Sequence, residues 1–381
     1  MSVRYDDAIA GAGILGLAHA YHLAKRGRKV VVFERSPRAQ GASIRNFGMI
    51  WPIGQPAGLA RETALRSRKI WGQALQESGI WHEEVGSLHL AYQEDELQVL
   101  REFVQSAPAQ GYDVSLLSPM ETLQRSPVVR KEGLLGAIWS ASEMCVDPRQ
   151  VIAELPAWLA KTYGVTFQFG YAVSGYRRPH VTANGETWAA DNFYLCAGDD
   201  VRTLYPELLQ AEGMTPCKLQ MMRSQPFGER WKLGPMLAAG LTLRHYKNFE
   251  GCPSLPALKA RIAQETPQYD QFGVHVMASQ NGRGEVIIGD SHEYGDAIVP
   301  FDNPEIDALI LDYLQTFLEI PSLQIAARWH GIYAKHPSKP FVILRPEEGV
   351  TVVTGVGGAG MTLSFGVAER AVQETLGETN P

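Results

Sequence analysis

The sequence has little cysteine, no excess of positive charge and no long apolar run. Its four cysteines form no CxxC pair and no zinc-ligand spacing; they are Cys145, Cys196, Cys217 and Cys252. They therefore predict neither a disulfide framework nor a metal site, and a reducing, cytoplasmic compartment fits best. The formal net charge of -6 argues against binding to nucleic acid or to an anionic membrane surface. Because no stretch of about 18 apolar residues occurs, we expect no transmembrane helix.

The length and composition indicate a globular protein with two domains. The chain has 381 residues, of which 45% are hydrophobic and 20% are charged. These values are ordinary for a folded protein, and the length exceeds what one core usually holds. The sequence contains no internal repeat and no low-complexity linker, so function has to be inferred from local motifs.

A glycine-rich turn follows the first apolar strand. The segment GAGILG (residues 11–16) precedes a helical pattern, and the next apolar strand ends in Glu34. In a dinucleotide-binding βαβ unit the first glycine makes the tight turn, the second lets the backbone approach a pyrophosphate, and the third lets helix pack on strand. The helix N-terminus offers N–H groups to the phosphates, and the acidic residue accepts a hydrogen bond from a ribose hydroxyl. The segment therefore predicts dinucleotide binding.

The fingerprint alone does not distinguish FAD from NAD, because both present the same adenosine diphosphate to the turn. Near the C-terminus, VTVVTGVGGAGMTLSFG (residues 350–366) reads as an apolar strand, a glycine turn and a second helix start. A helix N-terminus stabilises the negative charge that develops on a reduced flavin, whereas a nicotinamide needs no such feature. A further short strand, NFYLCAGDD (192–200), closes on Ala197 and Gly198 beside the expected cofactor. This combination favours FAD.

With these motifs, the chain resembles the superfamily of D-amino-acid oxidases, glycine oxidases and sarcosine oxidases, which are FAD-dependent amine oxidoreductases. The resemblance is carried by seven stretches in the family's order: residues 11–34, 41–48, GSLHLAYQEDE (86–96), DPRQVIAEL (147–155), YLCAGDD (194–200), IIGDSHEYGD (287–296) and TGVGGAGMTLS (354–364). It implies a two-domain α/β (α+β) fold, with an inserted, mainly antiparallel β-sheet substrate domain beside a Rossmann-like FAD-binding domain. The expected ranges are 1–85, 145–216 and 331–381 for the FAD-binding domain, and 86–144 and 217–330 for the substrate domain.

The resemblance also implies which residues contact FAD. They lie in the two glycine turns, at the ends of the central strands and in the segment 41–48, which wraps the flavin in this superfamily. The expected set is Gly11, Gly13, Ile14, Leu15, Gly16, Glu34, Arg35, Ala42, Ser43, Arg45, Asn46, Gly48, Val173, Ala197, Gly198, Gly357, Gly358, Gly360, Met361 and Thr362. Arg45 and Asn46 are expected to donate hydrogen bonds to the flavin or its diphosphate.

The usual covalent links to FAD are missing. Arg45 stands where dimethylglycine dehydrogenase-like members carry the linking histidine, and Gly331 stands where monomeric sarcosine oxidases carry the linking cysteine. Neither residue can form the bond. The resemblance therefore implies noncovalently bound FAD.

The usual anchors for a substrate carboxylate are missing too. Tyr333 replaces the arginine of glycine oxidases, Thr362 replaces a lysine of sarcosine oxidases, and Trp51 falls about where the latter carry a substrate-binding arginine. Because arginine is the best bidentate partner of a carboxylate, its loss argues against a simple α-amino acid. Other polar groups are expected near the flavin and can hold an anion if they converge: Arg223, His245, Tyr246, His330, Tyr333 and Lys335.

The segments GASIRNFGMIWPIGQP (41–56) and LTLRHY (241–246) resemble a branch associated with aminophosphonate breakdown. This implies oxidation of 2-aminoethylphosphonate or an N-methyl relative by hydride transfer to the flavin, giving an aldehyde. Sarcosine oxidases place an oxygen-activating lysine where this chain has Ile287. Because this lysine is missing, the resemblance leaves two kinds of electron acceptor open: O2, or another acceptor such as a quinone or carrier. Three alternatives stay open: an amino-acid or sarcosine oxidase, a dehydrogenase of a hydroxy acid or phosphorylated alcohol, and a flavin-binding scaffold. The sequence gives no oligomeric state and no catalytic base.

Overall fold

A computed structural model describes residues 4–378 of the chain, so residues 1–3 and 379–381 of the predicted FAD-binding domain lie outside the described part. The strands are β1 Arg4–Ala10, β2 Val30–Glu34, β3 Met49–Ile50, β4 His82–Glu83, β5 Ser87–Ala91, β6 Val114–Leu117, β7 Gly136–Ser140, β8 Met144–Val146, β9 Thr166–Phe169, β10 Val173–Arg177, β11 His180–Ala183, β12 Glu186–Leu195, β13 Thr215–Ser224, β14 Met236–Ala238, β15 Met277–Gln280, β16 Val286–Gly289, β17 Glu293–Tyr294, β18 Ile325–Lys335, β19 Val342–Leu344 and β20 Val350–Thr354. The helices are α1 Ile14–Lys25, α2 Leu59–Ser78, α3 Glu94–Ser106, α4 Pro119–Arg125, α5 Pro148–Tyr163, α6 Pro206–Ala211, α7 Gly240–Leu243, α8 Leu255–Glu265, α9 Pro267–Gln271, α10 Pro304–Phe317 and α11 Gly360–Leu376.

The first sheet is eight-stranded and has a parallel centre. The strand β1 lies between β2 and β12, β9 extends the sheet beyond β2, and β20 pairs in parallel with β12. Strand β2 is buried along its whole length, as a continuous run of valines predicts for a strand covered on both faces. One face packs on α1, α2, α5 and α11 around a shared core. The carboxyl ends of these parallel strands consequently meet at one edge of the sheet.

The second sheet is nine-stranded and mainly antiparallel. Its order is β17-β13-β16-β15-β14-β5-β7-β6, with β18 paired along β13. The predicted strand-rich segment 273–290 forms the antiparallel pair β15 and β16. Helix α10 covers one face because its buried residues recur at helical spacing: Ile306, Ile310, Leu314 and Phe317. The fold class expected from the sequence is therefore confirmed.

A three-stranded sheet, β3-β8-β4, lies between these layers. The predicted domain boundaries at 216/217 and 330/331 both fall inside strands of the second sheet, because β13 and β18 pair without interruption across them. The division of the chain into domains therefore stays a prediction. Among the described residues, no helix is both long enough and apolar enough to cross a membrane.

Candidate active site

An elongated cavity of about 480 Å³ runs along the carboxyl edge of the first sheet. One end lies at Glu34 and the other at Met361 and Tyr333. Strands β13 and β18 of the second sheet close it with Leu219, Gly331 and Tyr333. Most residues expected to bind the cofactor line this single cavity: Gly11, Gly13, Ile14, Leu15, Glu34, Arg35, Ala42, Ser43, Arg45, Asn46, Val173, Ala197, Gly198, Gly357, Gly358, Gly360 and Met361.

The first glycine turn brings backbone very close to backbone. Gly11 has φ +102°, and a Cβ there would lie 2.3 Å from the carbonyl oxygen of Cys196. A Cβ at Gly16 would lie 1.8 Å from the carbonyl oxygen of Gly11. Helix α1 therefore starts directly over the cavity, and the backbone N–H of Ile14 donates to the hydroxyl of Ser43 over 3.0 Å.

Glu34 is held in place at the opposite end of this turn. Its carboxylate accepts the backbone N–H groups of Ala12 and Ser36, each over 3.0 Å, and the residue is 8% exposed. A carboxylate can accept more than two hydrogen bonds, so free lone pairs remain for ribose hydroxyls. The neighbouring Arg35 forms an ion pair with Asp200 over 2.8 Å at the same end.

The segment 41–46 wraps over the cavity as a short 3-10 turn. Asn46 lines the cavity, but its amide donates to the carbonyl oxygens of Ala42 and Ser43 and its oxygen accepts the N–H of Gly48. These bonds shape the turn, and the expected hydrogen bonds from Asn46 to the cofactor stay a prediction. Arg45 donates to the carbonyl oxygen of His330 over 3.2 Å, which ties the turn to β18.

The second glycine turn forms the other end of the cavity. Strand β20 ends at Thr354, and α11 begins at Gly360, so the first N–H groups of this helix lie at the cavity wall. Gly357 and Gly358 lie against the ring of Tyr333, to which a Cβ at either position would come within 3.9 Å. The arrangement offers a positive helix end to a group bound there.

Three of the residues expected to bind the cofactor support the site without lining the cavity. Gly16 packs α1 against the first turn, and Gly48, with φ +72°, packs against the carbonyl of Val146. The hydroxyl of Thr362 accepts the backbone N–H of Trp51 over 2.9 Å and is buried. These contacts lie one layer behind the wall, and the contact of the three residues with the cofactor stays a prediction.

Of the six expected substrate contacts, Tyr333 lines the cavity and the other five do not. Two of these five, Arg223 and His330, are engaged with acidic side chains elsewhere. Arg223 forms an ion pair with Glu285, which also binds Arg149, so its charge is already compensated within a buried network. The His330 ring lies 2.8 Å from a carboxylate oxygen of Asp302. Both side chains are thus engaged with acidic groups, and their contact with the substrate stays a prediction.

Tyr333 lines the inner end of the cavity, and Lys335 packs on the glycine turn beside it without lining the cavity. Lys335 forms a β-bridge with Val356, and its side chain packs on the glycine turn, 3.7 Å from a Cβ at Gly357. Its ammonium group donates to the hydroxyl of Tyr294 over 3.0 Å. Burial lowers the pKa of Lys335. Within the described residues this ammonium group has no carboxylate partner.

His245 and Tyr246 belong to a cluster next to Lys335 that the sequence did not predict. The rings of His245, His275 and His292 stack with centroids 3.9 to 5.1 Å apart. The Tyr246 ring lies 5.8 Å from that of His275 and 6.5 Å from that of Trp51. No spacing signal links these three histidines, because they lie on separate segments that only the second sheet brings together.

Other residues of the cavity wall were also missed. Tyr171, Ala172, Asp199, Asp200, Thr203 and Leu204 line the end near Glu34. They follow β9 and β12, two parallel strands. The rule that loops at the carboxyl ends of parallel strands converge on the ligand is the signal by which they can be found.

A family model described as FAD dependent oxidoreductase (DAO) matches residues 6–374. The chain belongs to this family. It is 27% identical to glycine oxidase of Geobacillus kaustophilus over 212 residues, which are 52% of this chain and 55% of that protein. It is 26% identical to human mitochondrial sarcosine dehydrogenase over 144 residues, 37% of this chain and 16% of that protein. The matched regions thus span about half, or less, of the length of these relatives.

Solved structures of the family share the whole fold. Glycine oxidase from Bacillus cereus matches with a TM-score of 0.80 at 19% identity, covering 99% of this chain and 96% of that one. L-proline dehydrogenase from P. horikoshii matches with a TM-score of 0.78 at 20% identity, covering 100% and 96%. At this identity the likeness concerns the fold. The family member described here is an FAD-dependent oxidoreductase.

The residues present fit FAD. The cavity has a glycine cradle at which a side chain at Gly11 would meet backbone, a fixed acidic residue at one end and a helix N-terminus at the other. These are the donors and acceptors that a pyrophosphate, a ribose and a flavin edge require.

Proposed function

We propose that this enzyme oxidises a small amine that carries a phosphonate group, such as 2-aminoethylphosphonate or its N-methyl derivative. The observation that carries the proposal is Lys335, whose Cγ packs on the glycine turn at Gly357 and whose ammonium group donates to the Tyr294 hydroxyl. A partly buried cation that no carboxylate of the described residues neutralises is suited to binding an anion.

The side chains opposite this cation favour a phosphonate over an amino-acid carboxylate. Tyr333 and Thr362 occupy the positions of the family's carboxylate anchors, and the Thr362 hydroxyl is already used by the Trp51 backbone. An ammonium group acts as a point charge and needs no bidentate geometry, so Lys335 with the Tyr294 hydroxyl suits a tetrahedral dianion.

When bound, FAD supplies the acceptor for the hydride that leaves the carbon next to the amine nitrogen. The chain's own residues position and shield that carbon. Trp51, Phe47 and Tyr246 belong to one apolar cluster, which in this proposal borders the substrate carbon and excludes water. The start of α11 offers backbone N–H groups to developing negative charge. The imine that is left on the substrate is hydrolysed by water to an aldehyde and ammonia or methylamine.

The test is anaerobic bleaching of the flavin absorbance by a substrate panel, followed by steady-state kinetics. We expect 2-aminoethylphosphonate or its N-methyl derivative to bleach the flavin, whereas glycine, sarcosine and D-alanine do so poorly. Lys335→Gln should raise KM at least tenfold and change kcat less, because it removes a binding contact made before and during the reaction. The matched control is Lys339→Gln, since Lys339 is exposed and paired with Glu212. Bleaching by amino acids alone would overturn the proposal.

The pH dependence offers a second readout on the same lysine. Because burial lowers the pKa of Lys335, its positive charge is lost at a lower pH than that of an exposed lysine. The KM for the anionic amine should therefore rise as the pH climbs through this lowered pKa. In Lys335→Gln the rise should disappear. A rise of the same size in the variant would assign the anion contact to another group.

A phosphorylated alcohol is the second candidate, because Lys335 fits a phosphate as well as a phosphonate. L-α-glycerophosphate oxidase from Mycoplasma pneumoniae shares the fold, with a TM-score of 0.76 at 18% identity. Glycerol phosphate in the same bleaching panel separates the two. A hydrogen peroxide assay in air then identifies O2 as the acceptor, and a dye-linked assay tests for a quinone or carrier.

We also propose a reducing compartment, which fits four free, buried cysteines.

A further inference from the structure

We propose that His245, His275 and His292 form a binding site for a divalent transition metal of the zinc class. Their ligand nitrogens all lie within 4.8 Å of one another. Zinc–nitrogen bonds are about 2.0–2.1 Å long, which allows two ligands to be at most about 4.2 Å apart, so small side-chain rotations complete the site. The inference does not depend on the substrate proposed above.

The tautomers of two of the rings leave a lone pair free for a metal. His292 Nδ1 lies 3.1 Å from the carbonyl oxygen of Gly273, which only accepts, so Nδ1 carries the proton and Nε2 is free. His275 Nε2 lies 3.1 Å from Asp290, and its Nδ1 is buried with no hydrogen-bond partner in the described part of the chain. His292, which donates its other N–H to a carbonyl oxygen, has the usual support of a metal-ligating histidine.

Without a ligand, the buried cluster lowers the stability of the folded protein. His275, His292 and Asp290 are 2%, 9% and 5% exposed. The Nδ1 atom of His275 and a carboxylate oxygen of Asp290 have no hydrogen-bond partner among the described residues. Unpaired polar groups in such a place destabilise the fold unless something satisfies them.

The acidic side chain nearest to the rings is that of Asp290, which can ionise when a cation binds beside it. Asp290 lies 3.1 Å from the His275 ring and 3.9 Å from the His292 ring. Of the cations that lower the pKa of His245, Arg244 is neutralised by Asp270 over 2.7 Å, and Lys335 is directed to Tyr294. Three histidine ligands leave a fourth position open, as in catalytic zinc sites. The cysteine spacing predicted no metal site, because all three ligands are histidines on separate segments.

The test is zinc binding by the FAD-loaded, chelator-treated protein, measured by equilibrium dialysis and elemental analysis. We expect one zinc ion per chain. His275→Ala and His292→Ala should abolish binding, and Asp290→Asn should weaken it ten- to a hundredfold, while all three retain FAD absorbance and a cooperative unfolding transition. His180→Ala, at an exposed position of strand β11, is the matched control and should keep one zinc ion.

Two results would overturn the inference. The first is zinc uptake by the wild-type protein that is no greater than that of His275→Ala. The second is binding of inorganic phosphate, lost in His275→Ala, to a wild-type protein that takes up no zinc, because this would make the cluster an anion pocket. The Asp290→Asn variant covers the case in which an alanine variant fails to fold, since it keeps the hydrogen-bonding side chain.

Discussion

The two ends of the cavity are built in different ways. Around the expected adenosine and flavin edge the wall is largely backbone, supplied by three short runs, 11–16, 41–46 and 355–361. Next to the substrate end, beside the lining residues Tyr333 and Met361, lie single side chains from distant segments, such as Trp51, His275 and Lys335. The first end needs close backbone approach, which glycine permits and other residues do not. The second needs particular functional groups, which any strand can present.

The largest effect that we predict for this cavity is the complete release of FAD when the protein is denatured. Arg45 and Gly331 stand at the two positions at which relatives attach FAD, and a Cβ at Gly331 would lie 3.3 Å from the carbonyl of Arg45. Neither residue can form the covalent bond. Acid precipitation should leave all flavin absorbance in the supernatant. Yellow colour that stays with the pellet would reveal a bond elsewhere in the wall.

The next effect concerns the backbone-built end. Gly11→Ala should reduce FAD affinity at least a hundredfold, because the new Cβ would lie 2.3 Å from the Cys196 carbonyl and the residue has φ +102°. The measurement is the ratio of flavin to protein absorbance after purification, with FAD titration of the apoprotein. Gly41→Ala is the matched control, since Gly41 lines the same cavity but has nothing within 4 Å of a Cβ. Equal loss in both variants would contradict the backbone account.

This contrast explains what could be predicted from the sequence. The turn at Gly11, the acidic strand end at Glu34 and the turn before Met361 are local patterns in which spacing alone implies geometry. The hydrogen bonds of the Asn46 amide to carbonyl oxygens of its own loop were not predicted, because no spacing shows them. The contributions of His275 and His292 were missed because their meeting depends on the register of the second sheet. The ion pair of Arg223 with Glu285 was missed for the same reason.

The smallest predicted effect is a change in stability on replacing His89. It tests whether every unpaired polar group near the substrate end serves to bind a ligand. His89 is fully buried between Trp51 and Phe249, at ring distances of 5.3 and 5.5 Å, and neither ring nitrogen has a hydrogen-bond partner among the described residues. Burial lowers its pKa to about 3. The unfolded chain therefore binds a proton below about pH 6.5 that the folded chain does not, and stability falls as the pH drops from there towards 3.

His89→Leu should raise the free energy of unfolding by about 1–2 kcal/mol at pH 7, because it removes two unpaired nitrogens from the core. Between pH 6.5 and 5 the wild type should lose about 2 kcal/mol more than the variant, since 1.36 kcal/mol accompanies each pH unit for one proton. Urea unfolding followed by tryptophan fluorescence at the two pH values measures both effects, with His180→Leu as the exposed control. If His89→Leu instead raised KM or destabilised the fold, the His89 ring would belong to the site, and the substrate end would extend behind Trp51. If the variant is more stable and its KM is unchanged, His89 lies outside the substrate end, which then stops at Trp51. The unpaired ring nitrogens that a ligand satisfies would then be those of the histidines next to Lys335.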